Sequence, residues 1–272
     1  MKLEEAFGLQ EREVVSLAGG GGKTTLLFAL AAELFPHRRG VILTTTTKIW
    51  EPAPSPSFGL FSSTRFPEMS QWISTHLGSY PYLIVAQEKM SNGKLRGIPP
   101  QWVEGLASLP GVDLFLVEAD GAAGRSLKAP REDEPVLPEN TTLLVPVIGI
   151  DALGCPLDER HVFRAELAAR LLHLRPGQEV TPEITAGLLG LMLKKRPSGA
   201  RVIPFINKAD LPGALEKGRS LARYLLTCEP LQTARVVLGN ARSSAPAIEI
   251  LENPQPRKSQ SEISSFNPQS ET

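Results

Sequence analysis

The stretch that most constrains this chain is Val14–Leu27, VVSLAGGGGKTTLL. A short apolar run, Val14, Val15 and Leu17, precedes four glycines, Gly19, Gly20, Gly21 and Gly22. Lys23, Thr24 and Thr25 follow, and then an apolar helical face of Leu26, Leu27, Leu30, Ala31 and Leu34. Strand, glycine loop and helix N-terminus in that order form the context of a phosphate-binding loop. Glycines let backbone N–H groups converge on an anion, and the helix adds free N–H groups and the positive end of its dipole. Lys23 is expected to reach the terminal phosphates of a nucleotide, and Thr24 to offer its hydroxyl to Mg²⁺. The spacing is shorter than G-x-x-x-x-G-K-[ST], which would need a glycine where Leu17 stands. The competing reading is a glycine-rich strand-to-helix turn with a chance Gly-Lys-Thr.

Such a loop demands a sheet behind it. The chain supplies 272 residues, 42% of them hydrophobic, enough for a sizeable core. Its 29 basic and 29 acidic residues cancel. Net charge therefore makes no case for nucleic acid or an acidic membrane surface. Cys155 and Cys228 fit no metal-ligand spacing, and a reducing cytosol is the expected compartment. The N-terminus, MKLEEAFGLQERE, is acidic and amphipathic and lacks the apolar core of a signal peptide. No run approaches the length of a membrane span, and no internal repeat is visible.

In chain order, residues 1–10 read as a short helix, and Pro36 stops the helix after the phosphate loop. A buried strand, Gly40–Leu43, leads into Thr44–Thr47. One hydroxyl of Thr45, Thr46 or Thr47, with Thr46 preferred, is expected near phosphate or Mg²⁺, because ligands gather at the C-terminal ends of parallel strands. Residues 51–57 are a proline-rich loop. A helix over 67–77, a strand over 82–86, a hairpin around 91–97 and a helix to about 108 follow. Further strands are expected at 113–117, 143–148, 201–206 and 234–238, and helices at 158–174, 182–194 and 214–226. Strands alternating with helices predict an α/β fold: a three-layer, phosphate-loop-type sandwich with a mostly parallel central sheet. It would form one nucleotide-binding domain over 1–250, with residues 251–272 as a disordered tail.

Two strand ends carry further chemistry. The strand over 113–117 ends in Glu118-Ala119-Asp120-Gly121. Carboxylates there, beside a phosphate loop, are placed to hold Mg²⁺ or position water. The E-x-x-G spacing of Glu118 and Gly121 resembles a switch element of metallochaperone-type GTPases. Arg125 and Lys128 either touch substrate or phosphate or are surface charges. His161 and Arg164 read as a helix-surface pair, and Cys155 as a loop thiol. The strand over 201–206, despite Pro204, ends in Asn207-Lys208-Ala209-Asp210, the N-K-x-D pattern that reads guanine. An Asp carboxylate accepts from two N–H groups of guanine that adenine does not match. Asn207 would hold neighbouring loops, and the Lys208 stem would lie along the base. GTP is thus favoured over ATP, and an Asn/Asp turn capping the next helix is the competing reading.

The ordered blocks VVSLAGGGGKTTL, VILTTTTKI, FLVEADGAAGRSLKAP, VIGIDALGCPL and FINKAD resemble the YqeC family over about residues 12–245. The resemblance implies an accessory role for selenium-dependent molybdenum hydroxylases, in maturing or inserting a selenium-containing cofactor. The partner would then be such a hydroxylase or its cofactor. GGGGKTT is also similar to the G-T-x-G-K-T-T of Mur-type ligases, which use ATP to form an acyl phosphate. The same loop would equally serve a small-molecule kinase or a non-catalytic, nucleotide-gated binding protein. In every case the nucleotide site is expected to be Gly19–Thr25 with Asn207, Lys208 and Asp210. Lys23, Glu118 and Asp120 would be catalytic, and Thr24, Thr46, Glu118 and Asp120 would be the metal set.

Overall fold

Alternation along buried strands explains the layers of this protein, whose computed structural model describes residues 1–35, 37–229 and 231–253. On the first strand Val15 and Leu17 face one helical layer, while Val14 and Ala18 face the other. On Leu114–Glu118, Leu116 and Phe115 divide in the same way. A strand covered on both faces reads as a continuous apolar run, which is why these segments are legible as strands.

Among the described residues the central sheet contains ten strands: β1 (Glu13–Gly19), β2 (Val41–Thr45), β3 (Phe58–Ser62), β4 (Tyr82–Ala86), β5 (Leu114–Glu118), β6 (Leu143–Gly149), β7 (Arg201–Val202), β8 (Phe205–Asn207), β9 (Arg235–Gly239) and β10 (Ala247–Glu252). Their order is β10-β9-β8-β6-β1-β5-β2-β4-β3, with β7 beside β6. Every pair is parallel except β9 with β10. The protein is therefore α/β with a mostly parallel sheet between helical layers. One layer holds α1 (Leu3–Phe7) and α2 (Lys23–Leu34). The other holds α3 (Phe66–His76) and α4 (Pro100–Ala107) at one end, and α5 (Ala165–Leu171), α6 (Pro182–Leu193) and α7 (Ala214–Thr227) at the other. On α2, Leu26, Leu27, Leu30, Ala31 and Leu34 are all buried, as a helical face requires.

Several expectations change. Residues 158–163 are not helical. Asp158 accepts backbone N–H bonds from Arg160 and His161 in a turn, and Val162–Phe163 pairs with Leu127–Lys128. The helix starts only at Ala165, and Arg164 before it has φ of 63°. The strand expected over 201–206 is broken between β7 and β8, since Pro204 has no N–H to give a neighbour. Leu251 and Glu252, assigned to a tail, instead end β10, which covers the sheet edge at β9. The tail expectation beyond Asn253 and the helix stop at Pro36 lie outside the described residues. Short strands at Lys48–Trp50 and Glu88–Lys89 join Lys94–Arg96 in a small antiparallel sheet, larger than the expected hairpin.

Candidate nucleotide-binding site

Parallel pairing brings the motifs to one edge. In register, Leu17 of β1 and Thr45 of β2 both face Glu118 of β5. The glycine loop, the threonine run and the acidic strand end therefore meet at the C-terminal edge of the sheet, where such folds bind ligands.

The loop's shape explains its glycines. Gly21 has φ of +79°, and a Cβ there would lie 2.1 Å from the Gly149 nitrogen. Gly22 has φ of +118°, and its Cβ would meet Asn207 Nδ2 at 2.5 Å. The early N–H groups are already engaged. Gly19 donates to the Asp120 carboxylate, Gly20 to the Val147 carbonyl and Gly21 to the Arg125 carbonyl. Capacity for an anion therefore rests on the N–H groups opening α2, which have no carbonyl one turn back to accept them. Lys23, Thr24 and Thr25 stand there, and Gly22 is the residue before them.

Lys23 is buried, and its Nζ donates to the Gly19 carbonyl at 2.6 Å and lies 3.1 Å from Asp120. Thr24 donates to Glu118 Oε2 at 2.6 Å. Burial drives the Glu118 pKa above the usual carboxylate range, against the pull of Lys23 and the Thr24 hydroxyl, with Asp120 adding to the rise. A buried carboxylate beside a hydroxyl is a hard oxygen pair of the kind Mg²⁺ takes together with substrate phosphates and water. Among the described residues no group of three His, Cys, Asp or Glu is placed to hold a metal unaided.

Asp120 differs in setting from Glu118. It is fully buried and paired with both Lys23 and Lys128, so its charge is spent on positioning. Lys128, expected at the surface or on a ligand, is also fully buried. It lies 2.7 Å from Glu134, which Arg164 grips with both terminal guanidinium nitrogens. Burial alone would raise the Glu134 pKa, but the Arg164 and Lys128 hydrogen bonds hold it at about 2. Lys23, Asp120, Lys128, Glu134 and Arg164 thus form one chain of alternating charge. Sequence reasoning did not find Glu134 or this role of Lys128. The available signal was a lysine flanked by apolar residues in Leu127-Lys128-Ala129-Pro130. Arg164 is in this chain and not on a helix surface.

The threonines are structural first. Thr45 and the Thr46 N–H both donate to the Glu118 carbonyl, and the Thr46 hydroxyl donates to Val136 at 2.6 Å. Thr46 nonetheless lines the same cleft as Thr24 and Glu118. Asn207 ties loops together: its Nδ2 donates to the Gly21 carbonyl at 2.7 Å, and its Oδ1 accepts from Ala241 N–H at 2.9 Å. Lys208, at φ of 66°, reaches Ser126 and Asp151 at 2.8 and 2.7 Å. Asp210 is exposed. Cys155 donates to the Asp151 carbonyl, and His161 pairs with Asp158.

A family model described as "YqeC protein" matches residues 15–166, which include the phosphate loop, Thr46, Glu118 and the whole buried charge chain. The chain belongs to the YqeC family. It is 34% identical over 212 residues to a protein of Escherichia coli (strain K12) named "Uncharacterized protein YqeC", covering 74% of this chain and 78% of that relative. The family match ends before Asn207. Among the described residues no helix is long and apolar enough to cross a membrane.

Proposed function

We propose that this YqeC-family protein is a phosphate-loop nucleoside triphosphatase with a preference for GTP, acting as a cytoplasmic accessory factor in the maturation of selenium-dependent molybdenum hydroxylases. One observation carries the nucleotide reading. Thr24, at the start of α2, hydrogen-bonds Glu118 at 2.6 Å, while Lys23 beside it is oriented by Asp120. A glycine turn without function has no need of a buried carboxylate under its threonine.

Lys23 is the cation for the terminal phosphates, and Asp120 is a positioning residue that aims it. Thr24 and Glu118 would hold Mg²⁺, with Thr46 at the rim. Bound there, Mg²⁺ would neutralise charge on the phosphates. The free N–H groups opening α2 bind the triphosphate oxygens. Asn207 fixes the phosphate loop against the loop at Ala241, and exposed Asp210 is left to accept from guanine. The hydroxylase setting rests on the family resemblance.

Displacement of a fluorescent GTP analogue tests the first part. GTP should compete better than ATP, Lys23→Ala should abolish binding, and Asp210→Asn should narrow the preference by about 1–3 kcal/mol. Equal competition by ATP rejects the guanine reading. Product analysis then separates free phosphate from a phosphorylated or ligated acceptor. Cells carrying Lys23→Ala should make a selenium-dependent hydroxylase that is inactive and poor in selenium. Full activity and selenium content there would reject the maturation role.

A further inference from the structure

The cleft that begins at the phosphate loop does not stop there. Its volume is about 980 Å³, at the top of the range for a single small-molecule pocket. One end is lined by Gly21–Thr25 and Glu118. The rest of the lining comes from the small antiparallel sheet and the loops at Arg125 and Arg131, and the Arg125 loop touches the phosphate loop through the Gly21 N–H. This part of the wall presents Lys48, Lys94, Arg125 and Arg131, together with Trp50 and Phe163.

This wall is held firmly beside the nucleotide end. Gly97 donates to the Thr47 carbonyl at 2.7 Å, and Ile98 donates to that of Thr45 at 2.9 Å. A Cβ on Gly97 would lie 2.3 Å from the Thr45 oxygen, so the sheet is pressed directly on the end of β2.

Its cations are not ion-paired. Among the described residues, Lys48, Lys94, Arg125 and Arg131 form no ion pair with a carboxylate. The chain as a whole is neutral, so four such cations in one concavity are a local concentration and not a general surplus. Glu118, Asp133 and Glu134 line the cleft too, but its seven cations outnumber these three carboxylates, and an excess of one sign in a concavity draws the opposite charge. The nucleotide's phosphates already have Lys23 and the start of α2 at the other end. Trp50 is 66% exposed with Lys94 Nζ 4.7 Å from its ring centre, while Trp72 and Trp102 pack against other rings. An exposed indole beside a cation suits an organic ring carrying an anionic group.

We propose that this wall is a second ligand site, for a small phosphate-bearing molecule with a planar ring, held in the same cleft as the nucleotide. The inference rests on the nucleotide reading only for what fills the phosphate-loop end. Arg131 and Lys94 take the phosphate, Lys48 and Arg125, whose guanidinium already donates to the Glu159 and Ala123 carbonyls, add field, and Trp50 takes the ring.

The experiment uses the full chain with Mg²⁺ and a non-hydrolysable GTP analogue in excess. Flavin mononucleotide serves as the probe, and riboflavin and inorganic pyrophosphate as controls. Flavin mononucleotide should bind one per chain with its fluorescence quenched, and pyrophosphate should displace it. Riboflavin should bind at least about tenfold more weakly, because it lacks the phosphate. Arg131→Ala and Lys94→Ala should each weaken the probe by about tenfold or more while leaving affinity for the GTP analogue within about twofold. Trp50→Ala should remove the quenching. Absence of probe binding at about 1 mM overturns the second site. So does equal loss of nucleotide affinity in the arginine and lysine variants, which would assign these cations to the nucleotide. If the GTP analogue fails to bind but the probe binds as described, the nucleotide reading fails and the second site stands.

Discussion

Asp120 and Lys128 lie 3.0 Å apart, and neither side chain is exposed to solvent. They are the centre of a charge chain running from the phosphate-loop lysine to Arg164. Removing one member leaves its partners buried and short of charge, which costs more than the pair itself contributes. Lys128→Met should lower stability by about 3 kcal/mol, the low end for a broken buried pair, since Asp120 keeps Lys23 and Glu134 keeps Arg164. Denaturant unfolding measures it. A loss under about 1 kcal/mol would show that the chain is not energetically coupled as drawn.

The same chain sets an acid limit. The Glu134 pKa is held at about 2 against an ordinary 4.5. A lowered carboxyl contributes stability above its unfolded value and loses it as pH falls through the folded one. The contribution should be complete above about pH 4.5 and disappear towards pH 2. Glu134→Gln should be less stable at neutral pH and should flatten this acid limb. A parent and variant with parallel pH–stability curves would contradict the assignment.

Gly21 is the least replaceable position of the loop. Its positive φ is strained for any other residue, and the Gly149 backbone cannot retreat as a side chain would. Gly21→Ala should cost about 2 kcal/mol or more and abolish nucleotide binding. Gly124 also has positive φ, but nothing lies within 4 Å of its Cβ, so Gly124→Ala should cost only about 1 kcal/mol and spare binding. Thermal melts with nucleotide titration compare the two.

Glu118 should show function opposed to stability. Burial raises its pKa, so the ionised form is disfavoured in the folded protein. Gln at this position still accepts from Thr24 but carries no charge. Glu118→Gln should melt no lower than the parent in chelator, yet lose Mg²⁺-dependent nucleotide binding. A clear fall in melting temperature with binding intact would make Glu118 a structural residue only.

Local features of the sequence determined much of this protein. Strand–glycine–helix order located β1 and α2, and apolar runs located the buried strands, because a two-sided sheet needs apolar residues on both faces. Motifs at strand ends could be read because a parallel sheet places those ends on one edge. Tertiary structure alone decided what the charges do. Glu118 and Asp120 are two residues apart, but β5 ends at Glu118, and the chain beyond it takes Asp120 to two buried lysines while Glu118 stays against Thr24. Glu134 and Arg164 lie 30 residues apart, and Lys48 lies far from Arg131, so no periodicity relates them. The late start of α5 also came from a distant partner, since Val162–Phe163 pairs with Leu127–Lys128. Spacing reports which face a residue occupies. Only the packed fold reports which charge it meets there.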